Sequence, residues 1–154
     1  MKKESKVVLL KAGLSEVFEK FTNLKNFENN LNDIPDTDIK NNINLTSTGI
    51  HINAKHVLGK LGILGDNSWD GKIEKTILRE DYGEIQYSLS GSGINSGTAW
   101  IQLIPVESGK TKARVVIDLD INMFSSIGLI LKMASSDQIE SVVNGIINYI
   151  EKLF

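Results

Sequence analysis

The sequence predicts an α+β domain in which an antiparallel sheet of about seven strands has one face covered by a long C-terminal helix. Three observations carry that prediction. Ile139, Val142, Val143, Ile146, Ile150 and Leu153 recur at steps of three and four, which lines them along one side of a helix running from Asp137 to the last residue. Between residues 40 and 122 the apolar period falls to two, the signature of strands. The clearest of these is the run from Thr111 to Asn122, where Ala113, Val115, Ile117, Leu119 and Ile121 alternate with Lys112, Arg114, Asp118 and Asp120. An apolar stripe has to be covered, and the apolar side of the sheet is the surface available to cover it.

Lys6 to Ala12, rich in valine and leucine and closed by Gly13, reads as a first strand. Ser15 stands where an N-cap belongs, and Leu14, Val17, Phe18 and Phe21 give helical spacing after it. A second short helix is expected over Asn23 to Leu31, on Leu24, Phe27 and Leu31, before turn chemistry around Pro35. Ile43 onward and Ile50 onward form a hairpin, and Val57 to Leu64 a further strand. Gly65 to Gly71 reads as a loop, Lys72 to Glu80 as a strand, and Asp81 to Gly83 as a tight turn. Glu84 to Ser90 is a strand with Ile85, Tyr87 and Leu89 on one face, and Ser96 to Val106 is another, turned back at Glu107 to Lys110. Phe124 to Met133 is apolar on most sides and reads as a lead-in helix or lid. Asp137, with Glu140 three residues on, marks the start of the final helix as in a capping box.

The 154 residues suit one domain spanning 1–154, large enough to bury a core unaided. There is no cysteine, so disulfides, thiolate metal sites and a cysteine nucleophile are excluded. The apolar run after the charged N-terminus, Val7 to Leu10, is too short for a signal-peptide core, and no run approaches a membrane span. The expectation is therefore a cytoplasmic protein without integral membrane association. A net charge of −2 gives no basic excess for a nucleic-acid partner.

Ala12 to Phe18 followed by Phe21 to Phe27, with Ile34, Pro35, Ile39, Lys40 and the stretch Trp100 to Leu103, resembles the START/Bet v 1-like superfamily, also called SRPBCC, in a small bacterial branch. The resemblance implies a helix-grip fold: a curved antiparallel sheet wrapped around the C-terminal helix, with two short helices after the first strand. It also implies an apolar cavity between sheet and helix, of the kind that takes a lipid, sterol or polyketide-like molecule. On this sequence the cavity's expected lining is Leu89, Ile101, Leu103, Val115, Ile117 and Leu119 from strands, Ile139, Val143 and Ile146 from the helix, and Trp69, Tyr87 and Phe124 as aromatic contacts. Phe124 to Met133 and Gly65 to Gly71 would gate it. The superfamily shares no catalytic motif, so no catalytic residue, metal ligand or cofactor is carried over.

The remaining chemistry-bearing residues read as surface. His51 and His56, the only histidines, point to opposite faces if one strand holds both, which argues against a joint metal site. Asp118 and Asp120 share the face opposite the apolar set and read as sheet exterior. Lys75 falls between Ile73 and Ile77 at strand spacing, which would aim it inward, but a slipped register, a bulge or a lysine snorkelling at the rim is the reading preferred over a buried cationic anchor for an acidic ligand. Trp100 and Gln102 face away from Ala99, Ile101 and Leu103. The function adopted from this reading is binding of a small hydrophobic molecule by a monomer or homodimer, without covalent chemistry. A cyclase or isomerase using Tyr87, Lys75 or a histidine for proton transfer is one alternative. A protein-interaction domain with a filled core is the other.

Overall fold

The computed structural model describes residues 1–23, 43–45, 49–53, 68–107, 109–125 and 136–154. In chain order these form β1 (Lys2–Glu4), β2 (Val8–Leu10), α1 (Leu14–Thr22), β3 (Ile43–Leu45), β4 (Gly49–Asn53), β5 (Ser68–Leu78), β6 (Gly83–Gly91), β7 (Ile94–Val106), β8 (Lys110–Ile121) and α2 (Ser136–Lys152). The strands lie abreast in the order β1-β8-β7-β6-β5-β4-β3, all antiparallel, with β2 also on β8. β1 and β2 are thus two pieces of one edge strand.

That edge strand starts four residues earlier than the valine and leucine content predicts, and it is broken in the middle. Ser5 accounts for the break. Its backbone N–H donates to the Val115 carbonyl at 2.8 Å, and its Oγ accepts from the Val115 N–H at 2.8 Å and donates to the Lys6 carbonyl. The Lys6 N–H then leaves the ladder and donates to Asn144 Oδ1 of α2 at 2.9 Å. The interruption stitches the edge of the sheet to the helix.

In α1 the first turn is closed by Val17 N–H on the Gly13 carbonyl, so the N-cap is Gly13, extended at φ −70° and ψ 160°, and not Ser15. Leu14, Val17 and Phe21 are buried as their spacing predicts. The helix expected over Asn23 to Leu31, the strand expected over Val57 to Leu64 and most of the Phe124 to Met133 segment lie outside the described residues. Helix α2 begins at Ser136, which puts Asp137 in its first turn instead of at the cap.

Two further findings concern the strands, the first of them a correction. Trp69, Asp70 and Gly71 belong to β5, not to a loop, because Ile52, His51 and Ile50 pair with them on one side and Gly91, Ser90 and Leu89 on the other. A bulge between Ile73 and Lys75 shifts the register of β5 by one residue, so Lys75 stands opposite Gln86, exposed on the outer face, while Ile73 stays with Tyr87 on the inner one.

The backbone of α2 runs within 8 Å (Cα to Cα) of β8, β1 and β2 at one end of the strand order and of β3 at the opposite end. A single helix can meet both ends only if the sheet curls around it. Burial agrees, since Val142, Val143, Ile146, Ile147, Tyr149, Ile150 and Leu153 are all inside. The end of α2 is clamped by α1: Lys20 Nζ donates to the Leu153 carbonyl at 2.6 Å and lies 4.5 Å from the centre of the Phe154 ring, which tilts against Phe21 at 5.9 Å.

Candidate functional site

The concave face of the sheet is a continuous apolar surface built by period-two alternation on four adjacent strands. Trp69 and Ile73 come from β5, Ile85, Tyr87 and Leu89 from β6, Ala99, Ile101 and Leu103 from β7, and Ala113, Val115, Ile117 and Leu119 from β8. The register sets Tyr87 between Ile73 and Ala99, with Ile117 next along the same row. Val143 and Ile146 of α2 are buried in the same cluster. Ten of the expected contacts are therefore brought together: Trp69, Tyr87, Leu89, Ile101, Leu103, Val115, Ile117, Leu119, Val143 and Ile146.

Ile139 lies in α2, with its side chain outside the described set. Phe124 stands apart. It sits in the turn after β8, its N–H held by Asn122 Oδ1 at 3.0 Å, and its side chain is fully exposed. Ile85, Ala99, Ala113, Ile147 and Tyr149 join the cluster without having been expected there as contacts. Ile85 was recoverable from its two-residue step to Tyr87. Ile147 and Tyr149 stand at three- and four-residue steps from Val143, Ile146, Ile150 and Leu153, on the two flanks of the stripe, and both are fully buried.

The polar atoms of this face differ in how they are satisfied. Trp69 Nε1 donates to the Ser92 carbonyl at 2.9 Å, and Thr111 Oγ1 donates to the Ala12 carbonyl at 2.8 Å. The Tyr87 hydroxyl is buried as deeply and has no hydrogen-bond partner among the described residues. Burial alone pushes its pKa well above the usual phenol value, so it is a neutral donor and acceptor at physiological pH. Among the residues whose side chains are described, no Asp, Glu, Lys or Arg is buried, and no group of three metal-ligating side chains occurs among the described residues.

The opposite, convex face carries the charges. Asp118 and Asp120 are exposed on it, as their alternation predicts. Trp100 is half-buried there, stands opposite the buried Val116 and donates from Nε1 to Gln86 Oε1 at 3.3 Å. His51 pairs with Asn44 and Asp70 in the ladder, and His56 lies outside the described residues. No helix among the described residues is long and apolar enough to cross a membrane.

No protein-family model matches the sequence, and no curated protein matches it. Solved structures do match in shape. A START superfamily protein from Mycobacterium smegmatis aligns at TM-score 0.57 and 10% identity over 99% of each chain. The Zhui aromatase/cyclase from a Streptomyces species aligns at 0.59 and 13%, over 99% of this chain and 90% of that one. A norcoclaurine synthase point mutant from Thalictrum flavum, in complex with a transition-state analogue, aligns at 0.56 and 10%, over 99% and 94%. With a curled antiparallel sheet gripping a C-terminal helix, the chain has the START/Bet v 1-like fold.

Proposed function

We propose that the protein binds a small hydrophobic molecule, lipid, sterol or polyketide-like, against the concave face between β5–β8 and α2, with the Tyr87 hydroxyl orienting it. The observation that carries this reading is the state of that hydroxyl. A buried hydroxyl without a partner, as Tyr87 is among the described residues, costs about 1–3 kcal/mol, a cost that Trp69 and Thr111 avoid by bonding the backbone. A ligand oxygen or nitrogen beside Tyr87 would remove the cost, and the surrounding aliphatic carbon would supply affinity at roughly 25 cal/mol per Å² buried. The names of two structures sharing the fold, a cyclase and a synthase, support organic molecules as its occupants.

The cyclase or isomerase alternative requires a titratable group inside the site. Among the described residues the titratable side chains of this cluster are the phenols Tyr87 and Tyr149, and burial raises the pKa of Tyr87, which makes it a poor base at neutral pH. Binding without covalent chemistry is therefore the reading we adopt, for a single cytoplasmic domain acting as a monomer or homodimer.

The test is to denature the purified protein, extract it with organic solvent and identify what is released by mass spectrometry. In parallel, the melting temperature of the stripped protein is followed with palmitic acid, cholesterol and emodin. A stoichiometric extracted molecule, or a saturable rise in melting temperature with one of the three, supports the reading. An empty extract together with no rise refutes it.

A further inference from the structure

The convex face holds a trough of about 440 Å³, within the size range of small-molecule sites, lined among others by Val7, Tyr82, Gln102, Ile104, Lys112 and Arg114. It opens on the opposite side of the sheet from the concave face, since Gln102, Ile104, Lys112 and Arg114 alternate outward on β7 and β8, while Val7 and Tyr82 come from the segments just before β2 and β6 and Ala113, which also lines the trough, belongs to the core. The ladder sets Ile104 opposite Lys112 and Gln102 opposite Arg114, so two rows cross from β7 to β8 side by side. Val7 and Ile104 are exposed aliphatics, 58% and 52% accessible, beside the charged and amide groups of Lys112, Arg114 and Gln102.

The polar groups around the trough are ordered. Tyr82 donates to Glu84 Oε1 at 2.7 Å, Gln102 Nε2 donates to the same oxygen at 3.3 Å, and Arg114 Nε donates to Gln102 Oε1 at 2.6 Å. That chain of contacts fixes the Gln102 amide and holds the Tyr82 ring in place. Burial, then the bond to Glu84, raises the Tyr82 pKa to about 12, so the phenol stays uncharged. Both nearby carboxylates are engaged, Glu84 as just described and Glu4 at 3.6 Å from Arg114 Nη1. Lys112 has no carboxylate partner among the described residues.

We propose that this trough is a second ligand site, taking an amphipathic anion whose head lies between Lys112 and Arg114 and whose apolar chain runs over Ile104 towards Tyr82. The run from β8 to β6 covers two strand spacings, about 10 Å, which suits a medium-length alkyl chain. Lysine favours this arrangement because its methylene stem packs beside the chain while its ammonium meets the head.

Sodium octanoate is the probe, with 1-octanol as its uncharged counterpart, and the readout is residue-resolved NMR of amides and methyls. Octanoate is expected to give saturable shifts at Val7, Ile104 and Arg114, and octanol at least about fivefold weaker ones. Lys112→Glu, an exposed change, is expected to weaken octanoate at these residues by about fivefold or more and to leave any shifts at Tyr87 and Ile146 as they were. Ile104→Asp, also exposed, tests the apolar end and is expected to weaken octanoate comparably. Shifts confined to Tyr87 and Ile146 would overturn the trough while supporting the concave site. Convex shifts that Lys112→Glu leaves unchanged, or that octanol matches, would overturn the assignment of an anion.

Discussion

Replacing Tyr87 by Phe removes one oxygen from the concave face and leaves the ring that packs between Ile73 and Ala99. Since the hydroxyl is buried with no partner among the described residues, the stripped protein should gain part of the 1–3 kcal/mol that an unsatisfied hydroxyl costs, about 1–2 kcal/mol. For a domain of this size that is a rise in melting temperature of about 2–8 °C. A bound molecule that used the hydroxyl loses a hydrogen bond worth about 0.5–1.5 kcal/mol, so its affinity falls about three- to tenfold. Urea unfolding of stripped wild type and variant at 25 °C gives the first quantity. Isothermal titration with whichever of palmitic acid, cholesterol or emodin binds wild type gives the second. The two effects run in opposite directions, which separates a functional hydroxyl from a structural one. A variant destabilised by more than about 1 kcal/mol with affinity unchanged would show that the oxygen serves the fold, and the ligand reading would lose its main support.

The pH dependence follows from the same residue and from Tyr82. Both phenols have raised pKa values in the folded state against about 10 unfolded, so the native protein holds protons that the unfolded chain releases. Stability from this source is complete below pH 10 and declines as pH rises from 10 through about 12, and urea midpoints between pH 8 and 11 should show a shallower decline in Tyr87→Phe. Lys20→Met removes the hydrogen bond to the Leu153 carbonyl and the contact over Phe154, and should cost about 1 kcal/mol in calorimetry because the site is partly solvated. Gly71→Val should destabilise by about 1–3 kcal/mol, since a Cβ there would lie 2.6 Å from Ile50 Cγ2 and 2.7 Å from Leu89 Cδ2; an unchanged urea midpoint would mean that β5 can yield locally.

The parts of the architecture legible in the sequence are those where one period dominates. Lys112 to Asp120 alternate, apart from Val116, which is buried on the outer side opposite Trp100, because β8 has one apolar and one largely solvated side, and the α2 stripe through Val143, Ile146 and Ile150 is a direct 3.6-residue signal. What escaped that logic is set by tertiary geometry. Ile147 and Tyr149 look like the flank of a one-sided helix, and they are buried because the sheet reaches around to β3. Trp69, Asp70 and Gly71 carry turn chemistry, yet partner strands on both sides hold them extended. Lys75 points inward by counting and outward in the fold, since one bulged residue inverts the sides beyond it. At the site, the inward residues of β6, β7 and β8 were readable from alternation. Nothing in the sequence distinguishes the Tyr87 hydroxyl from that of any other tyrosine, because whether a buried oxygen finds a partner depends on residues far away in the chain.

The stitch between Lys6 and Asn144 spans 138 positions, and the clamp from Lys20 to Leu153 spans 133. Early segments therefore gain their native neighbours only when late ones arrive. During synthesis, the half-made sheet would present its greasy inner side to the cell until α2 emerges and closes it. Such topology favours slow acquisition of structure over milliseconds to seconds.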